Sequence, residues 1–229
     1  MKYDALFLGS IGVVADTSDL QRRAFNHAFE RFGLGWHWGW DTYAELLKQT
    51  SGRARIADYA ETLGESDSVD PGAVYAVKQG AFDALVSGAR LRARPGVVDL
   101  LAAARAAKTR CAFVSTTTPR QIATTFRAVG SEVQEAQFDY ISSGEDVAHL
   151  KPAPDCYLRA LDQLGLKAEN VLAVEDTPES AQAAITAGIT VIAFPGRAAY
   201  GRPFPAGVPV MECLTPGLLQ MPRQTVAAE

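Results

Sequence analysis

The sequence predicts an α/β protein: a parallel sheet core with an all-helical cap inserted after the first strand. Three observations predict it. Apolar runs of four or five residues (Ala5–Leu8, Cys111–Val114, Val171–Val174 and Ile189–Ala193) have the length and continuity of strands buried on both faces. From Arg94 onward such runs alternate with helical periodicities, the pattern of a parallel sheet covered by helices. Between residues 17 and 90 helical patterns follow one another with no strand signal.

The elements follow in order. Ala5–Leu8 is the first strand, closed by Gly9. Asp16-Thr17 offers an N-cap. Ala24, Phe25, Ala28, Phe29 and Phe32 then mark one face of a helix that Gly33 ends. Residues 34–40 are rich in Gly and Trp and read as a loop. Helices are expected at 41–49, 53–63 and 72–88, the last started by Asp70-Pro71. Arg94-Pro95-Gly96 marks the change of pattern. Then come helix 97–107, strand 111–114, helix 119–129, strand 138–141 and helix 154–164, with Tyr157, Leu158, Leu161 and Leu164 on one face of the last. Strand 171–174, helix 178–187 and strand 189–193 follow, and a Pro- and Gly-rich tail ends in one edge strand near 208–211. The expected division is a Rossmann-like core of residues 1–15 and 91–229 and a helical cap of residues 16–90.

Composition excludes several classes. With 48% apolar and 21% charged residues the 229-residue chain is an ordinary globular one, long enough to bury a core without staples. A net charge of −4 with no basic block argues against nucleic acid and anionic membranes as partners. No run approaches the ~18 apolar residues of a membrane helix. Lys2 with Leu6–Leu8 and Val13–Ala15 faintly resembles a signal peptide, but Gly9, Ser10 and Gly12 break it, and a buried strand explains it better. Cys111, Cys156 and Cys213 are odd in number and far apart, which fits reduced thiols in a cytoplasmic protein. His27, His37 and His149 form no zinc-type pair.

Ligands of open parallel sheets bind beyond the carboxyl ends of the strands. Those ends carry Gly9-Ser10-Ile11-Gly12, Ser115-Thr116-Thr117-Thr118, Lys151-Pro152-Ala153-Pro154-Asp155 and Glu175-Asp176-Thr177. Hydroxyls and N–H groups at helix starts bind phosphate oxygens, lysine adds a point charge, and a carboxylate pair suits Mg²⁺. The set outlines a phosphate-ester and Mg²⁺ pocket.

This arrangement resembles the haloacid dehalogenase superfamily over nearly the whole chain. The nearest likeness is to its helical-cap phosphatases and phosphomutases, especially the CbbY-type sugar-phosphate phosphatases. Cys111–Ser115 fits the family's second motif, a strand ending in Ser or Thr. Lys151–Asp155 matches the KPAPD form of the third, and Val174-Glu175-Asp176 fits the acidic fourth. Arg22–Asn26 and the stretch from Leu46-Leu47 to Ser51-Gly52-Arg53 also look CbbY-like. The first motif departs. Against the family's Asp-x-Asp-Gly this chain has Gly9-Ser10-Ile11-Gly12, while Gly12, Asp16 and Thr17 hold the register.

The resemblance thus places Gly9 where the family has its nucleophilic, Mg²⁺-ligating aspartate. It places Ile11 where the family has its acid/base aspartate. Loss of a nucleophile costs on the order of 10⁶ in turnover, about 8 kcal/mol of barrier. Loss of a general acid/base costs roughly a further 10²–10⁴. Strand alternation turns Ser10 away from positions 9 and 11, so it is not expected to substitute.

The resemblance also implies phosphate contacts for Ser10, Ser115, Thr116 and Lys151, weakened Mg²⁺ binding by Glu175 and Asp176, and cap contacts for Thr17, Gln21 and Arg53. Gln21 stands where related phosphomutases carry a histidine. Structural roles compete with each of these. Lys151 could pair with Glu175 or Asp176. The acidic pair could serve a helix dipole, and Ser115 and Thr116 could be caps. Trp36, His37, Trp38 and Trp40 either pack the cap or face a ligand or protein partner.

The reading that results is a phosphatase-family protein without aspartyl-phosphate chemistry, binding a small phosphorylated metabolite. The alternatives are an active Mg²⁺-dependent phosphatase on a small sugar phosphate, and a protein-interaction module that uses the cap.

Overall fold

The computed structural model describes residues 3–47 and 51–222. In chain order the elements are β1 (Ala5–Leu8), α1 (Ile11–Val14), α2 (Ser18–Arg31), α3 (Trp40–Leu46), α4 (Gly52–Leu63), α5 (Pro71–Gly88), α6 (Val97–Ala106), β2 (Arg110–Val114), α7 (Pro119–Val129), β3 (Tyr140–Ser142), α8 (Asp155–Leu164), β4 (Val171–Glu175), α9 (Pro178–Thr186) and β5 (Thr190–Ala193). The chain divides into two compact units: Thr17–Arg90, and the residues before and after it.

The core unit is one parallel sheet in the order β3-β2-β1-β4-β5. β1 is central, with Leu8 level with Phe113 of β2 and Val174 of β4. Its continuous apolar sequence follows from that place. Leu6 and Leu8 join one buried cluster with Leu100, Phe113, Phe126 and Ile192, and Ala5 and Phe7 join the opposite one with Ala160, Val171 and Val191. Phe7 stacks on Tyr157 of α8 with ring centroids 6.5 Å apart. Thr118 and Thr177 cap α7 and α9, their hydroxyls accepting from Gln121 N and Ser180 N at 3.3 Å, each followed by proline.

Four sequence expectations are corrected. The third strand starts at Tyr140 rather than Phe138. Phe138 packs its ring on Phe113 and Phe126, and the Asp139 carboxylate accepts from Cys111 N, so pairing with β2 begins one residue later. The edge strand at 208–211 is a single bridge from Val210 to Ala193. Asp16-Thr17 does not cap α2 as expected: Thr17 makes no side-chain cap bond, and the Asp16 carboxylate accepts from Arg197 N at 2.9 Å. The expected helix 41–49 begins at Trp40, and its last two residues lie outside the described ones.

Within the helical unit, α2 and α5 run along each other and α4 packs on α5. Trp38 is fully buried against Phe25, Phe29, Tyr43 and Tyr59. Buried Asn26 holds its backbone at both ends, donating to Trp38 O at 3.1 Å and accepting from Trp38 N at 2.8 Å. Trp36 packs on Phe29 and Tyr59 and donates Nε1–H to Glu65 at 2.9 Å. These two tryptophans are therefore core residues of the unit. Of the two readings the sequence allows for Trp36 and Trp38, packing within the unit is the one found.

Lys78 of α5 is 3% exposed and donates to the Gln21 side chain. Its ammonium lies 4.9, 5.6 and 5.0 Å from the ring centroids of Phe25, Tyr75 and Phe82. Burial, with Arg55 nearby, pulls its pKa down to about 7 against the opposing charge of Asp83. Between about 7 and 10.5 the unfolded chain therefore holds a proton that the folded chain has released. The contribution of Lys78 to stability rises with pH through that window, by at most about 1.4 kcal/mol per unit. All three tryptophans lie in this unit. Tryptophan fluorescence during urea unfolding should therefore report that rise, and Lys78→Met should abolish it while stabilising the unit near neutral pH. A Lys78→Met protein with the same pH slope would contradict the assignment.

Candidate functional site

The site lies at the carboxyl ends of β1 and β4, where the strand order reverses, the place at which open parallel sheets bind ligands. Gly9 N still donates to Val174 O at 2.9 Å, so the ladder carries Gly9 alongside Glu175. From the loop after β3, Lys151 reaches back under these ends. Its Nζ donates to Gly9 O, to Val114 O at 2.9 Å and to Glu175 Oε1 at 2.6 Å. The Tyr157 hydroxyl is a fourth acceptor at 3.3 Å, so the ammonium's three protons are all engaged. The Lys151–Pro152 peptide is cis. Tyr157 of α8 donates its hydroxyl to the same Glu175 oxygen, and its ring centroid lies 4.8 Å from Nζ.

Lys151 is 4% exposed and Glu175 fully buried. Burial pushes the Glu175 carboxyl up, opposed by the Lys151 charge. Burial and the neighbouring Glu175 push the Tyr157 hydroxyl well above its ordinary range. Glu175 Oε2 is buried without a partner among the described residues.

Gly9 explains where that carboxylate fits. Its φ is not in the left-handed region, so the backbone admits any residue. Yet a Cβ built on Gly9 would overlap the Glu175 carboxylate. Glu175 therefore fills the space a side chain at position 9 would take. Gly12 is a second such position, with Asp176 Oδ2 where its Cβ would be. Burial raises the Asp176 carboxyl, opposed by a hydrogen bond from Ser10.

Ser10 and Ile11 depart from the expected alternation. Residues 11–14 are helical, so the period of two ends at the strand. Ser10 Oγ donates to Asp176 Oδ1 at 2.8 Å and accepts from Val13 N at 3.2 Å. It thus turns into the site rather than away from it. Ile11 turns into the apolar core beside Val14, Phe113, Ile122 and Phe126. Ser115 is 3% exposed, and its Oγ accepts from Thr117 N at 3.1 Å. Thr116 is half-buried on the same turn.

The core unit thus gathers Gly9, Ser10, Lys151, Glu175 and Asp176, with Ser115 and Thr116 on the turn after β2. Thr17, Gln21 and Arg53 belong to the helical unit. There Thr17 O accepts from Gln21 N at 2.9 Å, Gln21 holds Lys78, and Arg53 is exposed in the first turn of α4.

Sequence reasoning missed two residues of the site. Tyr157 reads only as an apolar position of α8. Arg94 reads only as a boundary marker, yet it donates to Gly12 O and Phe194 O at 2.8 Å and to Pro195 O at 2.7 Å, its guanidinium 3.5 Å from the Phe194 ring centroid. It ties the turn after β1 to the end of β5. Its signal was the family-like turn it had to hold, which no local pattern names.

The carboxylates do not fit the Mg²⁺ that the resemblance implies. Glu175 Oε1 already has a cation at 2.6 Å, and Asp176 Oδ1 holds Ser10. Position 9 offers no side-chain oxygen, and among the described residues no three His, Cys, Asp or Glu side chains gather into a metal-holding group. Mg²⁺ needs several oxygens at near-octahedral angles.

Removing one partner of a buried ion pair leaves an uncompensated charge and costs about 3–5 kcal/mol. Lys151→Ala should destabilise the core unit by that order in urea unfolding followed by circular dichroism. A loss below about 1 kcal/mol, the range of exposed pairs, would show that the pair is not closed.

Comparison with known proteins agrees with this architecture. A family model described as haloacid dehalogenase-like hydrolase matches residues 12–194, beginning at the residue after Ile11. The protein CbbY of Rhodobacter capsulatus is 34% identical over 207 residues, covering 90% of this chain and 91% of that protein. CbbY of Cereibacter sphaeroides is 34% identical over 194 residues, covering 84% of each. The crystal structure of CbbY from Rhodobacter sphaeroides in complex with phosphate superposes with a TM-score of 0.82 at 31% identity, covering 92% of this chain and 94% of that one. A CbbY structure with xylulose-1,5-bisphosphate matches equally well. A β-phosphoglucomutase from Clostridium difficile shares the fold at 16% identity, with a TM-score of 0.74 and 94% and 93% of the two chains covered. With the parallel sheet, the lysine behind the strand ends and the acidic pair after β4 in place, the chain belongs to the haloacid dehalogenase-like hydrolase family.

Proposed function

We propose that this chain binds a small sugar phosphate and does not turn it over through an aspartyl-phosphate. One observation carries the reading. The place beside Gly9, where the family's nucleophile would stand, is taken by the Glu175 carboxylate, which is paired with Lys151 and Tyr157. Ile11 is packed in the apolar core and offers no proton for a leaving oxygen. The expected roles of Glu175 and Asp176 in Mg²⁺ binding are weakened for the same reason.

Binding has separate support. The turns after β2 and β4 present Ser115, Thr116 and the N–H groups that open α7 and α9, donors suited to phosphate oxygens, and Ser10 would join them by releasing Asp176. Two CbbY structures, of a relative similar over most of the chain, hold phosphate and a sugar bisphosphate. An anion reaching Lys151 would have to displace Glu175, because the ammonium has no spare proton. Nothing in this reading calls for nucleic acid or a membrane surface, and no helix among the described residues is long and apolar enough to cross a membrane.

Phosphate release with Mg²⁺ across a panel of sugar mono- and bisphosphates tests the proposal. The natural protein should release none above background. Gly9→Asp alone and Gly9→Asp/Ile11→Asp should be assayed beside it, since Ile11→Asp also places a carboxylate where the side chain now packs in the core. Gain of turnover in the double substitution alone fits an intact pocket that lacks its chemistry. Turnover by the natural protein that Lys151→Ala or Asp176→Ala abolishes would contradict the proposal.

A further inference from the structure

The departure from the family's metal chemistry has its own structural cause. Glu175 has a resident cation. Lys151 Nζ sits 2.6 Å from Oε1, donates to the main-chain carbonyls of Gly9 and Val114 at the ends of β1 and β2, and lies 3.3 Å from the Tyr157 hydroxyl. The ammonium is therefore anchored by the sheet and cannot follow the carboxylate outward without giving up a partner. Tyr157 fixes the same oxygen from the other side. Gly9 is what lets the carboxylate lie this far back, since any side chain there would overlap it. Asp176, the next residue, is held apart by Ser10 and by its seat against Gly12. Adjacent in sequence, the two carboxylates are each committed to a different partner. Among the described residues Glu175 Oε2 has no partner, and it is buried.

We propose that Lys151 serves as the built-in cation of this site, closing a Lys151–Glu175–Tyr157 centre against Gly9, so that the protein folds and binds its ligand without a divalent metal. The inference rests on the same reading of the Gly9 strand end as the proposed function, but not on the ligand. Mg²⁺ could enter only by drawing Glu175 off Lys151, which leaves a buried ammonium beside the incoming divalent charge. Restoring a carboxylate at position 9 reverses the situation. Its side chain displaces Glu175, and three carboxylates (positions 9, 175 and 176) become available as oxygen donors.

Calorimetric titration with MgCl2 alone, with no phosphate ester present, tests this on the natural protein and on Gly9→Asp. Thermal unfolding in millimolar Mg²⁺ against EDTA runs beside it. The natural protein should show no saturable heat and one melting temperature in both buffers. Gly9→Asp should gain saturable Mg²⁺ binding and melt higher in Mg²⁺. Lys151→Met is the second variant: without its resident cation, the Glu175 carboxylate should gain Mg²⁺-dependent stabilisation. Saturable Mg²⁺ binding by the natural protein that Asp176→Asn removes would overturn the inference, as would folded Gly9→Asp and Lys151→Met proteins that ignore Mg²⁺. Mg²⁺ saturation without phosphate release would overturn this inference and leave the proposed function standing. Phosphate release by a natural protein that ignores Mg²⁺ would do the reverse.

Discussion

The contact between Lys151 and Glu175 organises the end of the sheet. A buried carboxylate and a buried ammonium each cost far more alone than together. Once Glu175 is buried at the end of β4, an ammonium must meet it, and the loop after β3 must deliver Lys151 under β1. The same ammonium then ties Gly9 of the β1 end to Val114 of the β2 end. One side chain thus links the exits of three adjacent strands, β2, β1 and β4. The functional crevice of this fold opens from those exits.

The two replacements in the first motif have different structural meanings. Gly9 leaves a space, and Glu175 occupies it. Ile11 leaves none, because the chain turns into α1 there and its side chain completes an apolar layer under Phe113 and Phe126. A side chain at 11 now contributes to stability, with burial of an aliphatic group worth about 1.5–3 kcal/mol. Reinstating the family's residues is therefore unequal at the two places: position 9 needs a flexible carboxylate to move, and position 11 needs a packed layer to open. Arg94 donates to one carbonyl of that turn, Gly12 O, and to Phe194 O and Pro195 O after β5, so the turn is tied to the end of β5 independently of positions 9 and 11.

Much of this was legible in the sequence because it depends on local pattern. The apolar runs at 5–8 and 171–174 name the central strands, and Thr118-Pro119 and Thr177-Pro178 start helices where the residue chemistry says they must. The motif residues Lys151, Glu175 and Asp176 stand at strand ends, so topology alone brings them together. What stayed hidden depends on three-dimensional packing. Tyr157 differs from its apolar neighbours on α8 only by a hydroxyl, and nothing local shows that Glu175 lies across from it. Ser10 escapes the period of two because that alternation ends with the strand at Leu8. The strand at Phe138 was placed two residues early because an aromatic run reads as a strand whether its rings pack in a sheet or, as here, against Phe113 and Phe126. Trp36 and Trp38 follow the packing reading that the sequence favours, and Asn26 and Glu65 supply the contacts that no local pattern names.

The central claim is that the Glu175 carboxylate occupies the space of a side chain at position 9, and a stability cycle tests it most directly. Gly9→Ala adds one methyl group at a backbone position that tolerates any residue. It should destabilise the natural protein clearly and cost little once Glu175→Ala has emptied the space, a coupling of about 0.5–3 kcal/mol in urea unfolding. Equal costs of Gly9→Ala in both backgrounds would show that Glu175 lies elsewhere and would contradict the account.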